Sequence, residues 1–148
     1  MLDRPDRQRL MRTTVIDADD PVRGIATSGR HGRSFSLGIA DAVTVLAKTA
    51  SQADAAATII ANAVDLPGHP GIVRLPANQL QPDSDLGARL VTCAVPPLPG
   101  MLVAQALAHG RRAAADEIAA GRIVAALLCL QGRAEACGAN ALPQEVLP

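Results

Sequence analysis

Residues 24–64, GIATSGRHGRSFSLGIADAVTVLAKTASQADAAATIIANAV, decide the fold of this 148-residue chain. Ala40–Ala47 is rich in β-branched residues and almost continuously apolar, which predicts a strand buried on both faces. Ser51–Val64 is dominated by alanine, the residue with the highest helix propensity, and predicts a helix. Prolines and glycines at 66–71 end that helix. Most candidate functional residues also lie in this stretch.

The flanking segments predict further strands and a second helix. Short strands are expected at Val22–Thr27, Leu90–Val95 and Ile123–Leu130, although the last apolar run also fits a helix by its periodicity. Pro99 suits the first turn of a helix over about residues 99–119, which Gly121 would end. Ile72–Asp85 is expected to be irregular. This order predicts an α+β fold, a layered sheet with helices packed on one face.

The length suits one domain, which we place between two less structured ends. Residues 1–21 read as a polar N-terminal segment, residues 22–133 as the domain, and residues 134–148 as a flexible tail rich in Gly, Ala and Pro. The start lacks the apolar core of a signal peptide, and no apolar run is long enough to span a membrane. We therefore expect a cytoplasmic protein without a membrane partner.

Composition narrows the classes of function. Hydrophobic residues make up 49% of the chain, enough to build a core, but Phe35 is the only aromatic residue. An aliphatic core is expected, and single-stranded nucleic-acid binding, which depends on aromatic stacking, is disfavoured. The 14 basic and 14 acidic residues give no net charge, so no bulk attraction to nucleic acid is expected.

The loop TSGRHGRS at residues 27–34 is a candidate anion site. Its glycines permit close approach of the backbone, and arginines grip phosphate through forked donors. The spacing differs from that of a Walker loop. An anionic ligand would be held by Ser28, Gly29, Arg30, His31 and Arg33. The alternative is a solvated basic turn between two strands.

Two polar residues beside the apolar segments allow two interpretations each. Asp41 either orients a loop residue such as Arg33 and serves the site, or begins a strand with its carboxylate in solvent. Asn62 is either a site residue or a polar contact at a helix end. No catalytic triad can be assigned, because nothing in the sequence fixes its geometry.

Asp54 and Thr58 are candidate metal ligands. Residues four apart on a helix have Cβ atoms about 5–6 Å apart, so both oxygens can reach one point. A carboxylate and a hydroxyl suit a partial shell for Mg²⁺. Alternatively, Asp54 closes a capping box with Ser51, and Thr58 donates a hydrogen bond back to the carbonyl of residue 54.

The run resembles the C-terminal half of the ApbE superfamily, whose best-known members are magnesium-dependent FAD:protein FMN transferases. The resemblance rests on the segments ATSG and AVTVLAKTASQADAAAT. The family motif A-x-x-A-D-x-x-A-T falls on Ala50, Ala53, Asp54, Ala57 and Thr58. Since the Asp and Thr of this motif are magnesium ligands in the family, the resemblance implies Mg²⁺ at Asp54 and Thr58, with FAD or a related flavin nucleotide as the second cofactor.

A less characterised branch of the superfamily is more similar still. Its members carry GIATSGRHGRS, GIADAVTV and ADAAAT, so the resemblance covers most of residues 22–133. RSFSLGIAD stands where the transferases have an HIIDPRTG-type segment, so their His is absent and Asp41 takes the place of their Asp. The N-terminal half, which supplies much of the FAD pocket in the transferases, is not represented, and the chain is expected to be N-terminally incomplete.

These features leave three hypotheses. The first is a Mg²⁺-dependent flavin-nucleotide (FMN) transferase-type domain. The second is a non-catalytic module that binds an anionic nucleotide or metabolite, which the missing His segment favours. The third is an inactive partial domain that forms homo-oligomers through an exposed apolar face.

Overall fold

A computed structural model describes residues 16–138 and shows one four-stranded and one two-stranded antiparallel sheet. The predictions for residues 1–15 and 139–148 lie outside the described residues. The strands, in chain order, are β1 Gly24–Ser28, β2 Ala42–Ala47, β3 Val73–Pro76, β4 Leu90–Ala94, β5 Ala125–Leu130 and β6 Arg133–Cys137. The helices are α1 Ala50–Ala63, the short α2 Ala77–Leu80 and α3 Gly100–Ala119. The large sheet has the order β1-β2-β5-β6, and β3 pairs with β4.

Helices α1 and α3 cover one face of the large sheet and enclose an aliphatic core. Successive side chains of a strand point to opposite faces, so alternate residues of β2 and β5 line this core. The fully buried residues include Val43, Val45, Ile60, Leu107 and Leu128. Burying a side chain of this size contributes about 1.5–3 kcal/mol relative to exposure. The predicted α+β class, with helices on one face of a layered sheet, is confirmed.

The second face of the large sheet has no helix packed on it within residues 16–138. At one end, Val22, Leu46 and Ala125 form a small buried cluster with Ile16 packed against it. At the edge strand β1, Ile25 is 57% exposed. This face is uncharged along its length, since the residues that alternate with the core positions are Ile, Thr, Leu, Ala and Cys.

Helix α1 begins differently from the sequence prediction. Thr49 is the N-cap, in an extended conformation, and its Oγ1 accepts a hydrogen bond of 3.2 Å from the backbone N–H of Gln52. The predicted capping box of Ser51 and Asp54 is therefore wrong, because the helix starts before Ser51. The Thr49 side chain satisfies one of the free N–H groups of the first turn.

Two segments predicted to be irregular are ordered. Residues 73–76 form β3, whose partner β4 lies beyond α2, and Pro76 occupies the last position of β3, where its missing N–H is tolerated. Residues 133–137 form β6 after a two-residue turn, so the sheet continues past the predicted domain end at residue 133. Local propensity missed both strands, because pairing with a neighbouring strand stabilises them.

Among residues 16–138, no helix combines the length and the apolar character needed to cross a membrane.

Candidate functional site

Residues 29–41 connect β1 to β2 and contain the predicted anion loop. The connection closes on itself, because Arg30 N–H donates to the carbonyl of Ala40 at 2.9 Å. Gly29 makes this approach possible. Its φ is +154°, and a Cβ atom there would lie 2.4 Å from the carbonyl oxygen of Asp41. A side chain at residue 29 is therefore excluded by both conformation and space.

Asp41 joins the basic loop to the sheet. Its Oδ1 lies 2.9 Å from Arg30 Nε and 3.2 Å from His31 Nε2, and its Oδ2 accepts a 2.5 Å hydrogen bond from Gln131 N–H. The carboxylate is only 25% exposed, so these charge-assisted bonds are partly shielded from solvent. Asp41 thus orients the loop, as one interpretation of the sequence predicted, but its partner is Arg30 and not Arg33.

The guanidinium of Arg30 is held in place and retains free donors. Only its Nε contacts Asp41, and its terminal nitrogens make no hydrogen bond within residues 16–138. The Arg30 side chain is 22% exposed and that of His31 is 53% exposed. Arg33 is exposed and makes no ion pair with any described residue. Three basic side chains in one short loop therefore have donors available to an anion.

Gln131 belongs to the same network, and the sequence reasoning missed it. It has a left-handed φ of 45°, followed by Gly132 at 82°, which gives the tight turn between β5 and β6. Its side chain accepts from Leu98 N–H at 2.8 Å and donates to the carbonyl of Pro96 at 2.7 Å. The Gln-Gly pair after an apolar run could have indicated this turn, because a two-residue hairpin turn is common at such a position.

The far end of the connection is fixed by a second set of bonds. The Leu37 carbonyl accepts from Arg74 Nη1 at 2.7 Å, and Arg74 Nη2 lies 2.5 Å from Asp65 Oδ1. Leu37 N–H donates to Asn62 Oδ1 at 3.1 Å. Asn62 is therefore a polar contact near the end of α1, as the second interpretation of this residue predicted, and the loop is anchored at both ends.

Asp54 and Thr58 lie one turn apart on the exposed side of α1. Thr58 Oγ1 donates to the carbonyl of Asp54 at 3.1 Å, and the oxygen lone pairs stay available to a ligand. A carboxylate and a hydroxyl on one face fit a partial Mg²⁺ shell completed by water. No group of three or more His, Cys, Asp or Glu residues that could hold a metal ion occurs between residues 16 and 138.

The structure shows no hydrogen bond or ion pair between this pair and the basic loop among residues 16–138. The end of α1 contacts the loop through Asn62, and Asp54 precedes Asn62 by two turns, or about 12 Å along the helix axis. The start of α1 instead lies against Gly24, where a Cβ atom would lie 2.2 Å from the Thr49 carbonyl. The start of α1 therefore lies beside the end of β1 that is opposite to the loop.

The chain matches one known protein family over most of its length. A family model described as AbpE bacteria matches residues 2–136. The chain belongs to this family. The relationship agrees with the ApbE-like resemblance of the sequence. No solved structure matches the chain.

Two curated relatives of this AbpE chain are UPF0280 proteins, and their names state no activity. One, from Methanopyrus kandleri, is 62% identical over 42 residues, which is 28% of this chain and 17% of the relative. The other, from Methanococcoides burtonii, is 43% identical over 59 residues, or 39% of this chain and 24% of the relative. The chain thus matches less than a quarter of the length of each relative.

A cleft of about 430 Å³ opens beside the basic loop of this AbpE chain. Arg33 and Phe35 lie on one side, and the turn that contains Asp83 and Asp85 lies on the other. The pair Asp83 and Asp85 flanks a turn in which Ser84 Oγ accepts from Leu86 N–H at 3.3 Å. Ser84 therefore caps this turn, and the two carboxylates remain without a partner among residues 16–138.

Side chains with shifted pKa values lie outside the basic loop of this AbpE fold. Hydrogen bonds from Arg122 hold the pKa of the Glu117 carboxyl below its ordinary value, and the pair links the last turn of α3 to the segment that follows. Burial raises the pKa of the Cys137 thiol on β6. Neither residue belongs to the Asp41 network.

Proposed function

We propose that the chain binds a small phosphorylated anion, a nucleotide or metabolite, at residues 29–33. The observation that carries this proposal is the placement of Arg30 by Asp41. A surface arginine that merely faces solvent samples many rotamers, whereas Arg30 is held through Nε while its terminal nitrogens have no partner among residues 16–138. Holding the side chain in advance lowers the entropy lost when a ligand binds.

The chemistry of the loop suits a phosphate group. The guanidinium fork matches the spacing of two phosphate oxygens, and charge-assisted bonds to such oxygens are strong. His31 and Arg33 add donors from the same loop. Asp41 offsets part of the positive charge, so the net charge of the site is modest and selectivity would come from geometry rather than bulk attraction.

Isothermal titration with pyrophosphate tests this proposal. We expect saturable binding to the wild-type chain and a loss of about tenfold or more in Arg30→Gln, which corresponds to about 1.4 kcal/mol. Arg89→Gln is the matched control, because Arg89 is exposed and unpaired among the described residues. Equal binding by Arg30→Gln and Arg89→Gln, or no binding by the wild type, would contradict the proposal.

A second candidate function is a Mg²⁺-dependent flavin-nucleotide transferase-type activity. It is supported by family membership and by the shared exposed side of Asp54 and Thr58. These two residues would hold the ion, which when bound would neutralise charge on a diphosphate during transfer. Asp54 and Thr58 make no hydrogen bond or ion pair with the Arg30 loop among residues 16–138, so the two functions can be tested with separate variants.

The test of the second candidate is the effect of Mg²⁺ on FAD binding. The transferase proposal predicts that Mg²⁺ tightens FAD binding to the wild type about tenfold, and that Asp54→Ala removes this gain. Asp116→Ala is the control, since Asp116 is exposed on α3. FAD binding that is indifferent to Mg²⁺, or a gain that survives in Asp54→Ala, would overturn the proposal.

Self-association through the second face of the large sheet stays a prediction. The face is uncharged and carries the exposed Ile25, which is the kind of surface that partners cover. Cytoplasmic location also stays a prediction.

A further inference from the structure

The cleft beside Arg33 has a chemical character that the basic loop lacks. One wall is formed by residues 33–35 and the other by residues 81 and 83–86. Its volume of about 430 Å³ lies within the range of small-molecule sites. Because Arg33 belongs both to the basic loop and to the cleft, a ligand bound at the loop can extend into this space.

The walls of the cleft are fixed before any ligand binds. Next to the first wall, the carbonyl of Ser36 accepts a 2.8 Å hydrogen bond from Thr92 N–H of β4. In the second wall, Ser84 N–H donates to the carbonyl of Gln81 at 3.0 Å, and Gly87 N–H donates to that of Ser84 at 3.1 Å. These bonds order the backbone of the second wall and of the residue next to the first wall in the absence of a ligand.

Phe35 gives the cleft a flat apolar surface. It is the only aromatic residue in the chain, and composition alone therefore argues against stacking of a flat ligand. The structure places this single ring, half-buried, in the wall of the cleft. A planar heterocycle can stack on a phenyl ring whatever its exact identity, which makes a base the natural occupant.

The charged side chains of the cleft favour a base that carries an exocyclic amino group. Asp83 and Asp85 have no hydrogen-bond or ion-pair partner within residues 16–138. An ionised carboxylate only accepts hydrogen bonds, so it pairs with the N–H groups of an exocyclic amine. Arg33 lies on the opposite wall and suits the phosphate end of the same ligand. This polarity fixes one orientation of a nucleotide.

We propose that this cleft holds the base of a purine nucleotide that carries an exocyclic amino group, with its phosphate at residues 29–33. The inference rests on the proposed function, since the loop supplies the phosphate contacts. Phe35 supplies the stacking surface, and Asp83 and Asp85 accept from the amine. A site built to pair with an N–H group rejects the analogue that lacks it, because its acceptors are then left unpaired.

Titration with nucleotide pairs that differ only in the amino group tests this inference. The pairs are GMP with IMP, and AMP with purine riboside 5′-monophosphate. In at least one pair the amino member is expected to bind about tenfold tighter or more. In the double variant Asp83→Ala with Asp85→Ala, which removes both acceptors, this preference should disappear. The control double variant Asp19→Ala with Asp116→Ala removes two exposed carboxylates elsewhere and should keep it.

Ribose 5-phosphate carries the phosphate but no base, so its binding distinguishes the phosphate contacts from the base contacts. Phe35→Leu is expected to weaken binding of the preferred nucleotide while leaving binding of ribose 5-phosphate unchanged, which also reports that the variant is folded. If ribose 5-phosphate binds and neither pair differs by more than about twofold, the base site is overturned and the phosphate loop stands. A preference that persists in the Asp83 and Asp85 double variant also overturns the base site. If no phosphorylated compound binds, both proposals fail.

Discussion

Replacing Gly38 by alanine is expected to lower the free energy of unfolding by about 2–3 kcal/mol. A Cβ atom at residue 38 would lie 2.3 Å from the carbonyl oxygen of Ala61 and 2.8 Å from that of Val64. Both obstacles are backbone atoms near the end of α1, which cannot turn aside as a flexible side chain can. Relief would require the helix end to move from the loop, at the expense of the 2.8 Å bond from Ile39 N–H to Val64.

Gly100→Ala is the control for this stability measurement. Gly100 begins α3, and a Cβ atom there meets nothing within 4 Å. Alanine should leave stability unchanged or raise it by up to about 1 kcal/mol, because it restricts the unfolded chain. Urea unfolding of both variants makes the comparison. Equal stability of Gly38→Ala and Gly100→Ala would contradict the tight packing of the loop on α1.

Asp41→Asn is expected to weaken pyrophosphate binding about tenfold or more while the fold is retained. The amide keeps an oxygen that can accept from Gln131 N–H, so the turn between β5 and β6 can survive. It cannot ion-pair with Arg30, and the guanidinium then loses the contact that orients it. Removal of a nearby negative charge would by itself favour anion binding, so a loss of affinity reports on orientation.

The control for Asp41→Asn is Glu135→Gln. Glu135 on β6 also pairs with arginines, at 3.4 Å from Arg111 and 3.0 Å from Arg133, but it does not contact the loop. Its replacement removes one paired carboxylate and should leave pyrophosphate affinity within about twofold. Unchanged or tighter binding in Asp41→Asn would show that the Asp41 contact does not prepare Arg30 for an anion.

The elements that were predicted correctly are those with a recognisable pattern in their own sequence. The alanine run that forms α1, the Pro99 start of α3 and the apolar β2 needed no knowledge of their neighbours. Strands β3 and β6 were missed because their stability comes from pairing with a neighbouring strand.

In the candidate site, too, features with a local sequence pattern were predictable, whereas those that depend on tertiary contacts were not. The basic loop and Asp41 were visible as charged residues among apolar ones, but the choice of Arg30 over Arg33 depends on how the loop closes at Gly29. Gln131 lies 90 residues from Asp41 in the chain, and a backbone N–H donor carries no side-chain signature. Its role becomes visible only once β2 and β5 are paired.

The most direct test of the anion site is a two-dimensional amide NMR titration of the ¹⁵N-labelled chain with pyrophosphate. If the loop held by Asp41 binds phosphate, the largest shift changes will fall on the amides of residues 29–33 and Gln131, and they will saturate. Residues 54–58 on α1, whose side chains make no hydrogen bond or ion pair with this network among the described residues, will change little. Largest changes at residues 54–58, or no saturable change at residues 29–33, would contradict an anion site at this loop.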